Sequence, residues 1–287
     1  MSPLYQVPTT TGCQPVFKWG EGGLKYLSLD SLRLDAGQTC QVALGEEEGV
    51  LVVLGGKATV HVQAQAGGSS EWQGVGSRPD PFSGSPAAVY LPRKGQVEVA
   101  AESTLRAAIA KTPCDVDLPP ALISPGDVKV VSAGTANWRR DVRLIVPPGS
   151  PLSQRLIVGE TLNPPGNWSG IPPHKHDQIT EGENILEEFY FFHVRPPDSF
   201  GIQMVYDQNH PGQDQTEAGR QAQAHIIGDG DVAVFLNGYH PTVAAPGTTV
   251  FYLWALAGDD KAYKIGIDPR FGWVSQAEAV IKESMHT

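Results

Sequence analysis

Glu48-Gly-Val-Leu-Val-Val-Leu-Gly-Gly56 and Glu188-Phe-Tyr-Phe-Phe-His-Val194 are the two stretches on which the fold turns. Each is a short apolar run opened by an acid and followed by a second run of the same kind, Lys57–Gln63 after the first and Phe200–Asp207 after the second. Continuous apolar runs rich in Val and aromatic residues, bounded by turn residues, read as strands buried on both faces. Farther along, Ala88-Val-Tyr-Leu-Pro92 followed by Val97–Ala101 echoes Ala233-Val-Phe-Leu-Asn237 followed by Val243–Ala245. Two copies of one strand order imply a duplicated β-barrel or sandwich.

The rest of the chain agrees. Thirty-two glycines and 24 prolines spread along 287 residues favour many short strands joined by turns over long helices. Further strand runs are Leu24–Leu34, Arg155–Leu162, Ala222–Ile227, Thr249–Leu256 and Ala262–Ile267. Helical periodicity is confined to the tail, Val274 to Met285, where Ser275 and Glu278 resemble a capping box. The Pro-rich stretch over residues 112–128 reads as a linker. The expectation is an all-β chain of two tandem jelly-roll-like barrels with a short C-terminal helix, divided as 1–120 and 121–287.

A formal charge of −10 leaves no basic field for nucleic acid or for an anionic membrane. An acidic substrate would therefore need local positive charge. Cys13, Cys40 and Cys114 are far apart and odd in number, so no disulfide framework is implied and a reducing cytoplasm fits. Residues 1–20 lack a signal-peptide pattern, and no apolar run reaches membrane-span length. Barrel edges and charge are compatible with a monomer or a homo-oligomer.

Six of the eight histidines lie between His174 and His240. In extended backbone, His174 and His176 project to one side and Lys175 to the other. Glu188 opens an apolar strand and His240 follows a turn at Asn237-Gly238-Tyr239. Three imidazoles and one carboxylate suit a borderline divalent metal: zinc, with manganese, iron or nickel as alternatives. Two histidines in a Pro-rich loop are, by themselves, ordinary surface residues; the later Glu and His give them meaning. Glu187 competes with Glu188, and alternation does not choose between them because both faces of the strand are apolar.

H-x-H, then Glu, then a distant His is the ligand order of the cupin superfamily. Eleven residues separate His176 from Glu188, wider than that superfamily's usual gap, and this points to one branch. The run Gly159-Glu-Thr-Leu-Asn-Pro-Pro-Gly-Asn-Trp-Ser-Gly-Ile-Pro-Pro-His-Lys-His-Asp177 strongly resembles the 5-deoxy-glucuronate isomerases of myo-inositol catabolism. So do Asn137-Trp-Arg-Arg-Asp-Val-Arg143, Phe200-Gly-Ile-Gln-Met-Val-Tyr-Asp207, Gly238-Tyr-His-Pro-Thr-Val-Ala-Ala-Pro-Gly247 and Leu253-Trp-Ala-Leu-Ala-Gly258. The resemblance covers about residues 135–270 strongly, and the N-terminal half mainly in organisation. It implies a bicupin fold and an aldose–ketose isomerisation of 5-deoxy-D-glucuronate to 2-deoxy-5-keto-D-gluconate. It also favours Glu188 over Glu187, because in the related uronate ketol-isomerases the ligand Glu precedes x-Tyr-Phe. The N-terminal copy lacks an H-x-H, and Gln96 or a neighbour falls where His240 would repeat.

Such an isomerase needs a proton carrier unless a hydride shift replaces it. Tyr190, Tyr206, Glu187 and Tyr239 are the candidates. For the sugar acid itself, Arg143, Arg155 and Gln203 are the candidate contacts, with Arg140 and Arg195 as further cations. Rival readings are a cupin dioxygenase using redox iron, a non-enzymatic sugar-binding bicupin, and the uronate ketol-isomerase branch.

Overall fold

The computed structural model describes residues 4–65, 68–206 and 222–284. Strands dominate, as the turn-rich composition requires. The earlier ones are β1 (Leu4–Gln6), β2 (Gly12–Phe17), β3 (Ser28–Leu34), β4 (Thr39–Ala43), β5 (Glu47–Gly55), β6 (Ala58–Gln63), β7 (Ser69–Val75), β8 (Ala88–Leu91), β9 (Gln96–Ala101), β10 (Leu105–Pro113) and β11 (Ala121–Ile123). The later ones are β12 (Lys129–Ala133), β13 (Arg140–Val146), β14 (Ile157–Asn163), β15 (Trp168–Ser169), β16 (His174–Lys175), β17 (Glu187–Arg195), β18 (Gly201–Val205), β19 (Gln223–Ile227), β20 (Asp231–Phe235), β21 (Thr242–Ala244), β22 (Thr249–Ala257) and β23 (Gly266–Ile267).

A six-stranded sheet, β11-β8-β5-β10-β3-β2, faces the four-stranded sheet β4-β9-β6-β7. A seven-stranded sheet, β1-β20-β17-β22-β14-β13-β12, faces the four-stranded sheet β15-β21-β18-β19. Each half is thus a pair of facing antiparallel sheets, the jelly-roll form of the expected barrel, and its hydrogen bonding does not close into a cylinder. Alternation along β5 explains how the layers stack. Leu51 and Val53 point into the first sandwich, whereas Val50, Val52 and Leu54 point into a third core between the two large sheets. β17 does the same, with Tyr190 and Phe192 inside the second sandwich and Phe189 and Phe191 in the shared core. This is why both runs read as apolar without interruption.

Several strands begin later than hydropathy suggests, for a long-range reason. Glu187 accepts from the backbone N–H groups of Lys25, Tyr26 and Leu27 at 2.6, 2.9 and 3.1 Å, which takes those residues out of any ladder, and β3 starts at Ser28. Glu48 does the same for Gln154, Arg155 and Leu156 at 2.8, 2.7 and 3.1 Å, and β14 starts at Ile157. The division expected at residue 120 is crossed by two strands. β1 pairs with β20 in the later sheet, and β11, inside the expected linker, pairs with β8 in the earlier one. A buried ionic cluster also joins the halves: Glu160 accepts from Arg78 and Arg143, and Arg143 donates to the carbonyl of Pro81.

The tail forms α1 (Trp273–Ser284), with Met285 outside the described residues. It starts before Ser275, so the expected capping box does not form. Asp268 caps the preceding 3-10 turn instead, and Glu278 bonds Lys282 and the Trp138 indole. Among the described residues, no helix is long and apolar enough to cross a membrane.

Candidate metal centre

His174 and Lys175 form a two-residue strand paired with Gly266 and Ile267 at the mouth of the second sandwich. Extended backbone sends His174 and His176 one way and Lys175 the other. Lys175 is buried beneath the strand, where its ammonium bonds Asp177 and Glu183. Glu183 also accepts from the N–H of Asp177 and Gln178, and Asp177 accepts from the N–H of Gly238. One ionic knot therefore ties the histidine strand to the loop before β17 and to the turn that carries His240. That turn needs a glycine: Gly238 has φ +84°, and a Cβ there would lie 2.9 Å from the carbonyl oxygen of Tyr206.

His176, Glu188 and His240 are buried, and one donor atom from each lies within 4.8 Å of the others. Nε2 of His176 and Nε2 of His240 are each 3.1 Å from the same carboxylate oxygen, Oε2 of Glu188. The other ring nitrogens are already engaged. Nδ1 of His176 is 2.6 Å from the Leu186 carbonyl, and Nδ1 of His240 is 2.8 Å from the Gly238 carbonyl. A carbonyl only accepts, so Nδ1 must carry a proton in both rings, and Nε2 is the atom that each neutral ring would offer to a metal. Both Nε2 atoms thus converge on one carboxylate oxygen in a buried space, and Nε2 of His240 has no hydrogen-bond partner. Buried donors that converge on one point in this way suit a shared cation. Separations of 3.1 Å match adjacent ligands about 2.1 Å from a shared ion. Backbone carbonyls orienting imidazoles from behind are the usual support of a metal site.

His174 stands one step out. Its ring centroid is 5.1 Å from that of His240 and 6.4 Å from that of His176. Burial, and then His240 beside it, push its pKa down to about 3, which keeps it neutral, the form that binds metal. Burial alone would raise the Glu188 carboxyl, but the two imidazoles outweigh it and hold it at about 2.

Beside this cluster lies a pocket of about 100 Å³ lined by residues that include His174, Glu188, Tyr190, Tyr252, Tyr263 and Arg140. Tyr190 is the candidate proton carrier that lies in this pocket. Burial and the Glu188 carboxylate keep its phenol well above the ordinary range, so it carries its proton. The Tyr252 hydroxyl shares a hydrogen bond with Ser169. Neither Tyr252, Tyr263 nor Ser169 was singled out by sequence; Tyr252 sits on an apolar strand where it reads as core.

The remaining expected residues lie elsewhere. Glu187, next to a ligand position, points from the other face of β17 into the join between the halves and clamps residues 25–27. Tyr206 donates to Asp268 and stacks on Tyr239 at 5.2 Å, outside the pocket. Arg143 faces Glu160 and Pro81, and Arg155 faces Asp115; both are committed to protein partners away from the pocket. Gln203 is fully buried and donates to the carbonyls of Met204, His240 and Pro241, so it braces the backbone of His240 from outside the pocket. On β13, Arg140 shares the inward face with Val142 and Leu144, whereas Arg143 shares the outward face with Ile145.

The KduI/IolB family model matches residues 7–274. A 5-deoxy-glucuronate isomerase of Geobacillus thermodenitrificans is 34% identical over 263 residues, which is 91% of this chain and 90% of that protein. One from Bacillus subtilis is 31% identical over 253 residues, 88% of each chain. The crystal structure of an IolB-like protein from Salmonella typhimurium superposes with a TM-score of 0.85 at 29% identity, covering 95% of this chain and 98% of that one. An oxalate decarboxylase of Lactobacillus farciminis shares the fold, with a TM-score of 0.65 at 11% identity over 98% of this chain and 90% of that one.

Proposed function

The chain belongs to the KduI/IolB family, and from that premise we propose that it is a 5-deoxy-glucuronate isomerase whose chemistry takes place in the second sandwich. The reading makes it a metal-dependent intramolecular oxidoreductase that converts an aldose acid, 5-deoxy-D-glucuronate, to the ketose 2-deoxy-5-keto-D-gluconate. The observation that carries it is the convergence of two buried Nε2 atoms on one oxygen of Glu188, with each Nδ1 already held by a backbone carbonyl, an arrangement that suits a shared divalent ion.

In this proposal His176, Glu188 and His240 hold a divalent ion, zinc by preference, and His174 supplies the fourth donor. Such an ion supplies Lewis-acid polarisation of the two neighbouring oxygens of the sugar. The step itself is balanced within the substrate: one hydrogen passes from C2 to C1 and one proton from the C2 oxygen to the C1 oxygen. Tyr190, kept protonated beside Glu188, hydrogen-bonds the oxygen on which negative charge develops and carries that proton. The surrounding apolar walls, Trp254 and Leu256, exclude water and strengthen those bonds. Three free cysteines far apart in sequence fit a reducing cytoplasm, where a sugar-acid pathway enzyme would work.

The test is turnover of 5-deoxy-glucuronate by the full chain, followed by NMR. Ketose is expected to accumulate with added zinc or manganese, to stop with a chelator, and to return on remetallation. A metal-loaded chain that leaves the substrate unchanged would sink the assignment.

A further inference from the structure

We infer that Arg140 forms a carboxylate subsite across the pocket from the metal ligands, where the acid end of the substrate is held. The inference rests on the isomerase reading above and adds the group that recognises the anion. A chain of net charge −10 must offer an acidic substrate a local cation. Among the described residues lining the pocket, Arg140 is the one permanent cation.

Its neighbours set it apart from the buried cations of the second half and its join to the first. Arg78 and Arg143 are neutralised by Glu160, and Lys175 by Asp177 and Glu183. Arg140 is half-buried, and among the described residues no carboxylate lies within ion-pair distance of it. Its Nη1 donates to the carbonyls of Trp138 and Ile171 at 3.3 and 3.2 Å. Those two bonds fix the plane of the guanidinium, and its remaining N–H groups have no protein partner among the described residues. A guanidinium held by backbone on one edge and open on the other is a preorganised fork for a carboxylate. The direction is also right: Arg140 projects inward with Val142 and Leu144 and lines the same pocket as Glu188 and Tyr190.

The experiment compares the wild-type chain with Arg140→Gln and Arg140→Lys, each checked for bound metal and melting temperature. For 5-deoxy-glucuronate, Arg140→Gln is expected to raise KM by about 10- to 100-fold, with kcat changed far less. Arg140→Lys, which keeps the charge but not the fork, falls between. Calorimetric titration with D-glucuronate and with neutral D-glucose reads the subsite even in a chain that turns nothing over. The wild type should prefer the acid, and Arg140→Gln should lose that preference while keeping its metal. An unchanged KM in Arg140→Gln, equal affinity of the wild type for both sugars, or a preference for the acid that survives in both variants would each overturn the subsite. Failure of wild-type turnover, with the acid preference intact and dependent on Arg140, would instead overturn the isomerase reading alone.

Discussion

The two halves share a scaffold and differ in what fills one layer of it. Glu48 and Glu187 occupy matching places on β5 and β17, and each carboxylate clamps three N–H groups that precede a strand, Glu187 those before β3 and Glu48 those before β14. The next residue departs. Gly49 pairs with Lys111 and Leu91, as Glu188 pairs with Leu256 and Phe235, so a glycine stands where the second half has its acid. A Cβ at Gly49 would lie 3.1 Å from Cδ1 of Leu44, so that leucine would have to give way before a longer side chain could stand there. Facing that glycine, the Lys111 ammonium lies 2.6 Å from Asp30 and 3.7 Å from Glu47. One sandwich thus carries its cation covalently, on a lysine stem, and the other, on the proposed reading, takes one from solution. The two clamps match because each half uses the other's to set where a strand starts, whereas the interior layers differ.

That contrast is most easily broken at its chemical end. Replacing His240 by Ala is expected to abolish bound metal and lower turnover by about 10³-fold or more, with the strand content by circular dichroism retained. Wild-type metal content in that variant would refute the ligand set. The mirror experiment is Lys111→Ala in the first half, which leaves two nearly buried carboxylates without their cation. A loss of about 3–5 kcal/mol in denaturant unfolding is expected, with metal content unchanged. Glu187→Gln and Glu48→Gln should each cost about 1.5–3 kcal/mol and leave kcat intact, since both weaken a clamp and neither touches the pocket. A collapse of kcat in Glu187→Gln alone would restore Glu187 as a proton carrier. The smallest effect belongs to Gln96→Ala. Gln96 follows Leu91 by the spacing that separates His240 from Phe235, yet it is exposed, and stability should move by no more than about 0.5 kcal/mol.

The duplicated strand order was legible because β5 and β17 are both buried on two faces, and such strands advertise themselves as unbroken apolar runs. The H-x-H pair was legible because period-two projection needs only local backbone. The same double burial hid finer choices. It left Glu187 and Glu188 indistinguishable by hydropathy, and likewise Arg140 and Arg143, because an apolar neighbour marks either face of these strands. The starts of β3 and β14 were illegible for another reason: a carboxylate more than a hundred residues away decides them. The short strand Ala121–Ile123 was hidden by prolines that read as a linker but only bound a sheet edge.

The pairing of Leu4–Gln6 with Asp231–Ala233 has a bearing on how the chain is made. The strand Leu4–Gln6 has no ladder partner until the matching one emerges from the ribosome more than two hundred residues later. At about 5–20 residues per second, that is a wait of roughly 10–45 s. Throughout it, the early sandwich can assemble while that strand, which belongs to the later sheet, trails unpaired. An insertion or fusion that tethers those opening residues elsewhere would leave the rim of β20 bare, inviting a second chain to take the vacant place.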